Sequence, residues 1–160
     1  MADIPINTSV PMIEQAKIQA RVLVPVVKAF QAEIGEERAN QIVRKALDSV
    51  SRQTAQAIDF LFEGTPAEKM AAAFPVSAAG DALDIEIIKQ TPDAFECNVT
   101  GCRYADFFRQ LGEPELGFLL QCSDDFALAP ALDLEFTRTQ TIMQGAGHCD
   151  FRFRVKKGRA

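Results

Sequence analysis

Three of the four cysteines stand among polar neighbours: Cys102 in NVTGCRYADFF, Cys122 in FLLQCSDDFA, and Cys149 in TRTQTIMQGAGHCDFRFR, the last flanked by the only histidine, His148, and by Asp150. A thiol becomes a nucleophile or a soft-metal ligand once its thiolate is stabilised, so each of the three is a candidate for covalent chemistry or metal binding. Cys102 falls where an alternating strand pattern gives way to a helical one. The unpaired amides of a helix start would lower its pKa; the structural alternative is a small residue filling a strand-to-helix corner. Arg103 beside it adds charge, although adjacent helix residues do not share a face.

Cys149 shares a strand face with Phe151 and Phe153, which suits a core thiol. His148 and Asp150 then point to the opposite face, unless a bulge beside Gly147 brings His148 round. Cys122 closes an apolar segment, and Ser123, Asp124 and Asp125 after it either join a site or begin a loop. Cys97 alternates with Phe95 and Val99 and belongs to the core. Arg138 lies on the face of Leu134 and Phe136, where an inward guanidinium suits a substrate carboxylate bound by two parallel hydrogen bonds, or an ion pair with Glu115 or Asp125. The cysteines lack the C-x₂-C pairing of zinc modules, although three thiolates converging in space would still make a soft-metal site. The glycines of GAGHCD do not lead from a strand into a helix, so they are no nucleotide fingerprint.

The elements that must position these residues are legible from periodicity. Leu23, Val26, Val27, Phe30 and Ile34 recur at helical spacing and Gly35 stops them. A second, longer helix starts near Glu36 and Glu37, carries Ile42, Val43, Ala46, Leu47, Val50, Ala57, Ile58 and Leu61 on one stripe, and ends at Gly64 and Pro66. The two make an antiparallel helical pair that could pack on a sheet or against another subunit. Residues 66–80, alanine-rich and containing Pro75, read as a short helix and linker.

Leu83, Ile85 and Ile87, the turn residues Thr91-Pro92-Asp93, and alternating Phe95, Cys97 and Val99 predict a β-hairpin. Tyr104, Phe107, Phe108 and Leu111 return to helical spacing, and Pro114 starts another short helix. Alternation from Leu134 to Met143, the Gly145-Ala146-Gly147 turn, and a strand with Cys149, Phe151, Phe153 and Val155 predict a second hairpin. The class is α+β: an N-terminal antiparallel helical pair and an antiparallel β-sheet of two hairpins with short helices between them. One domain over 1–160 is expected, with the helical hairpin at 1–64 and the part carrying the site at 80–157.

Composition narrows the function classes. The chain has 160 residues, of which 48% are hydrophobic, with 12 Phe, enough for a core without disulfide staples. A net charge of -5 argues against nucleic acid as partner, since such binding needs a basic stripe. The basic residues Arg152, Arg154, Lys156, Lys157 and Arg159 read as a solvated C-terminus. No apolar run reaches the ~20 residues that span a bilayer, and MADIPINTSVPMIEQ lacks the features of a signal peptide, so a cytoplasmic setting with reduced thiols and no membrane association is expected.

The segments CRYADFFRQLGEPELGFLLQCSDDFAL and TRTQTIMQGAGHCDFRFR resemble the L-2-amino-thiazoline-4-carboxylic acid hydrolase family, and EQAKIQARVLVPVVKAFQAEIGEERA looks like its N-terminal helix. The set of elements C-RY, G-PELG, C-x₂-D, R-T-[QK]-T and G-x₃-CDF carries the likeness, strongest from Cys97 to Arg154. One departure is Ala129-Pro130-Ala131-Leu132, where a glycine-containing turn is expected.

The resemblance implies hydrolysis of a cyclic amidine-like ring, the namesake being a thiazoline carboxylate opened to a carbamoyl-cysteine. It implies Cys102 as nucleophile or metal ligand, with Cys122 and Cys149 completing the pocket. His148, Asp150 or Asp125 would manage protons, and Arg138 would hold the substrate carboxylate. Tyr104, Glu115, Asp125 and Thr139 complete the expected substrate contacts. Two versions stand open: a covalent amidino-cysteine, or a divalent metal on Cys102, Cys122 and Cys149 that activates water. A rival from another class is a small-molecule or metal-binding sensor domain without turnover. A homo-oligomer through the N-terminal helices is the assembly such a helical pair would allow.

Overall fold

The computed structural model describes residues 9–156; most of the N-terminal lead, together with Lys157 and Arg159, lies outside the described residues. Helix α1 (Met12–Ile34) turns at Gly35, whose φ of 85° favours glycine, into α2 (Glu36–Leu61). The inward stripe of α1 is Ile13, Ala16, Ala20 and Val27, with Leu23 half-buried, while Val26, Phe30 and Ile34 of the expected stripe are exposed. Spacing alone identifies a helix with two apolar faces but not which face the core takes.

The segment expected to be partly linker forms a full helix, α3 (Pro66–Ala78). Thr65 and Glu68 build a capping box, with Glu68 N–H donating to Thr65 Oγ1 at 3.3 Å and Thr65 N–H to Glu68 Oε2 at 2.8 Å. Pro75 removes one backbone donor but does not stop the helix, because Met70, Ala71 and Phe74 are buried on its inner side.

Strands β1 (Leu83–Thr91) and β2 (Ala94–Cys102) form the first hairpin. Then come α4 (Arg103–Gln110), α5 (Pro114–Gly117) running on into a π-helical turn at Phe118–Cys122, and α6 (Asp125–Ala131). Helix α6 occupies the stretch expected to carry a loop or turn, and Pro130 sits within its last residues. Strands β3 (Leu134–Thr137) and β4 (Cys149–Val155) pair as the second hairpin, and β2 pairs β4, so the antiparallel sheet runs β1-β2-β4-β3. The architecture is α+β, as the sequence predicts.

Two expectations are corrected here. The third strand ends at Thr137 rather than Met143, because Arg138 turns inward, Thr139 and Gln140 are captured by the Asp150 carboxylate, and the chain then winds into a 3₁₀ turn at Ile142–Gln144. Nor do Arg152 and Arg154 form a solvated tail. They lie in β4, where Arg152 bonds Asn98 Oδ1 at 3.0 Å and Arg154 pairs with Glu96 at 2.9 Å.

Phe74 of α3 packs edge-on against Phe95, Phe151 and Phe153, and Phe136 stacks on Phe153 at 4.6 Å between centroids. The core therefore lies between the helices and one sheet face, and the opposite face carries the Glu96, Asn98, Arg152 and Arg154 network. Gly117 has to be glycine for a packing reason: a Cβ there would stand 2.6 Å from both Phe108 and Met143. Among the described residues no helix is long and apolar enough to cross a membrane.

Candidate functional site

Cys102, Cys122, Cys149, Tyr104, Asp125 and Arg138 line one cavity of about 130 Å³, with Phe74, Val99 and Phe151 as its apolar wall. Each polar group arrives from a different element. Cys102 ends β2 and caps α4, its Sγ accepting from Ala105 N–H at 3.4 Å. Cys149 opens β4 opposite Val99, and its Sγ accepts from Ile142 N–H at 3.2 Å, pinning the 3₁₀ turn. Cys122 closes the π-helical turn, a local widening that often marks functional positions. Tyr104 donates its hydroxyl to Ser77 O at 3.0 Å.

Arg138 has only 2% of its side chain exposed. It donates to Asp125 Oδ2 at 2.7 Å and to the Cys122 carbonyl, and its guanidinium lies 5.0–5.5 Å from the ring centroids of Phe126, Phe136 and Phe151. Of the two readings open for Arg138, the ion pair forms, with Asp125 and not with Glu115. Glu115 is exposed and does not line the cavity.

Burial dominates the electrostatics. The Cys102 thiol is raised, by burial first, and the amide of Ala105 offsets this only in part. This corrects the expectation that the helix start would yield a thiolate: the dipole is present but desolvation outweighs it. Burial likewise raises Cys149, against the Ile142 amide and Arg138, and Cys122, against Arg138. Tyr104 is pushed up to about 12 by burial, then by Cys102 and Asp124. Burial also raises Asp125 despite Arg138, and raises Asp124 with help from Asp125, though Asp124 keeps an exposed edge where solvent screens the effect.

Asp150, Thr139 and His148 are not brought to this cavity. Asp150 accepts from Thr139 N–H at 2.9 Å, Thr139 Oγ1 at 2.7 Å and Gln140 N–H at 3.0 Å. Burial works against the ionised form of Asp150, but these bonds prevail and its pKa is lowered. His148 meets Gln140, Nε2 to Nε2, at 3.1 Å. The strand alternation that turns Cys149 inward turns Asp150 away, so the proton-handling roles expected of His148 and Asp150 have no access to the cavity, and Thr139 serves Asp150 rather than a ligand.

The expected metal set does not fit either. Among the described residues no three His, Cys, Asp or Glu side chains are grouped to hold a metal ion.

Sequence reasoning missed the wall residues Phe74 and Ser77, which sit in the stretch read as partly linker, and missed Gln121, whereas Asp124, left open between a site and a loop, lines the cavity. Asp124 and Gln121 flank the Cys122-Ser123 pair, so the signal was there. The π-helical turn that directs them leaves no mark in periodicity.

A sheet covered on one face by helices, with a small cavity of thiols, a tyrosine and a buried ion pair beside it, makes this an α+β domain, and the fold alone does not choose between turnover and sensing. A family model described as L-2-amino-thiazoline-4-carboxylic acid hydrolase matches residues 15–153, and the chain belongs to that family. A solved structure with a similar fold is the phenol-responsive sensory domain of the transcription activator PoxR with phenol, at a TM-score of 0.57 and 12% identity, covering 96% of this chain and 76% of that one. No curated protein matches the chain.

Proposed function

We propose that the cavity binds a small cyclic amidine or ureide and that the chain opens its ring by hydrolysis, 2-amino-thiazoline-4-carboxylate giving a carbamoyl-cysteine as the reference reaction. The observation that carries this reading is the convergence of Cys102, Cys122 and Cys149 with the Asp125–Arg138 pair on one cavity. Cys102 is the nucleophile, and because its thiol rests protonated, its proton passes to the basic amidine nitrogen as Sγ bonds to C2. The ring C2–S bond then breaks, and the Asp125 carboxylate takes the proton from the amidinium nitrogen and passes it to the departing sulfur. Water adds to C2, the Cys102 C–S bond breaks, and the thiol is restored with one water consumed overall. Arg138 stabilises the cavity floor through Asp125 rather than gripping the substrate carboxylate.

Incubation with 2-amino-thiazoline-4-carboxylate, followed by NMR for carbamoyl-cysteine, tests the reading. Cys102→Ser is expected to abolish product formation with unchanged circular dichroism, and a folded, fully active variant removes Cys102 from the mechanism. Saturable binding without product supports the sensor alternative, which the fold shared with a sensory domain favours. We also propose self-association through the helical pair, where Ile18, Val22, Phe30 and Val50 are exposed; light scattering on Val22→Asp should report a smaller species than wild type.

A further inference from the structure

A second concavity, of about 510 Å³, lies between α2 and α6, away from the thiol cavity. Arg44, Asp48 and Arg52 stand at four-residue intervals on α2, so they form one row on its surface, with the two arginines about 12 Å apart along the axis. Phe126, Ala127 and Ala131 of α6 face them. The small alanines leave the space, and Phe126 offers an aromatic surface 46% exposed.

Among the described residues, neither Arg44 nor Arg52 has an ion-pair or hydrogen-bond partner, whereas Arg138, Arg152 and Arg154 are all paired. Solvated arginines are ordinary on a helix exterior. These two differ in flanking a groove of ligand size that also presents an aromatic ring. The surrounding stretch of α2 carries Arg38, Arg44, Lys45 and Arg52 against Asp48, a local positive excess in a chain of net charge -5. With two arginines and one aspartate, the row itself carries one net positive charge, which suits a monoanion.

We propose that this groove is a second binding site, for a small organic monoanion with a flat apolar body, its carboxylate paired with an arginine of the Arg44–Asp48–Arg52 row and its ring laid against Phe126. Planar guanidinium groups match a carboxylate's geometry, and the groove supplies the apolar contact that a free inorganic anion would not use. The proposal does not rest on the ring-opening reading: its residues are those of the groove, although Phe126 also lies 5.4 Å from the Arg138 guanidinium of the thiol cavity.

The test is an NMR titration of the whole chain with benzoate at low ionic strength. Saturable shifts are expected at Arg44, Arg52 and residues 126–131. Arg44→Gln with Arg52→Gln should weaken binding about tenfold or more, and Ala131→Leu, which fills the groove without changing charge, should weaken it as well. Inorganic phosphate should bind more weakly than benzoate. No saturable shifts, shifts confined to Tyr104 and Cys102, affinity unchanged in the double variant, or phosphate binding as tightly as benzoate would each overturn the proposal.

Discussion

On the inner face of the sheet Cys149 is 6% exposed between Val99 and the phenylalanine cluster, while one residue further along β4, on the outer face, Asp150 collects three hydrogen bonds from Thr139 and Gln140. The two faces treat ionisable groups in opposite ways. Inside, desolvation favours the protonated thiols, and Arg138 is neutralised by Asp125. Outside, hydrogen bonds hold Asp150 below the usual carboxylate range, and Arg152 and Arg154 pair with Glu96. A charged group therefore acts in the cavity only when a ligand brings its partner or its proton, whereas outer-face charges are already spent on holding strands and turns.

The largest effect should come from emptying the inner face. Phe153→Ala, at a fully buried ring stacked on Phe95 and Phe136, is expected to cost about 3–5 kcal/mol, measured as the shift in urea unfolding free energy. Arg138→Gln should follow at about 3 kcal/mol, because it strands the Asp125 carboxyl without its cation. Adding Asp125→Asn should recover part of that loss, and a double variant as unstable as the sum of the single changes would break the claim that the pair acts as a unit.

On the outer face Asp150→Ala is expected to cost only about 1–2 kcal/mol, with turnover or ligand binding in the thiol cavity unchanged. A loss of cavity function greater than the loss of stability would blur the division between the faces. The smallest effects at neutral pH become visible at the extremes. Asp150, lowered in the fold, contributes stability above the ordinary carboxylate range that is lost as pH falls through its folded value. Cys97, raised by burial from 9.0 to about 12, contributes stability that is complete below pH 9 and is lost as pH climbs towards 12. Urea midpoints against pH should therefore fall at the acid end for a reason Asp150→Ala lessens, and at the alkaline end by an amount Cys97→Ala reduces without abolishing, since Cys102, Cys122, Cys149 and Tyr104 are raised as well.

Much of the frame is legible before folding. The period of two in Phe95, Cys97 and Val99 and in Cys149, Phe151 and Phe153 sets which thiols face the core, and Gly35, Pro66 and Pro92 punctuate the helices and the first turn. Cys102 at the strand-to-helix corner is read correctly in position but not in ionisation, because a helix start is local and desolvation depends on everything packed around it. Arg138 shows the same limit. Alternation says that it points inward, but whether it meets a substrate, Glu115 or Asp125 depends on where α6 lies, and α6 itself is hidden by a sequence that resembles a loop.

The sequence by itself determined the α+β class, the inward direction of Cys97 and Cys149 and the family, since periodicity, turn residues and motif spacing are local properties of the chain. Only the tertiary structure decided that Cys102, Cys122 and Cys149 share a cavity, that Arg138 is committed to Asp125, and that His148 and Asp150 do not line it. Those outcomes depend on burial and on contacts between segments distant along the chain, and no spacing within one segment records them.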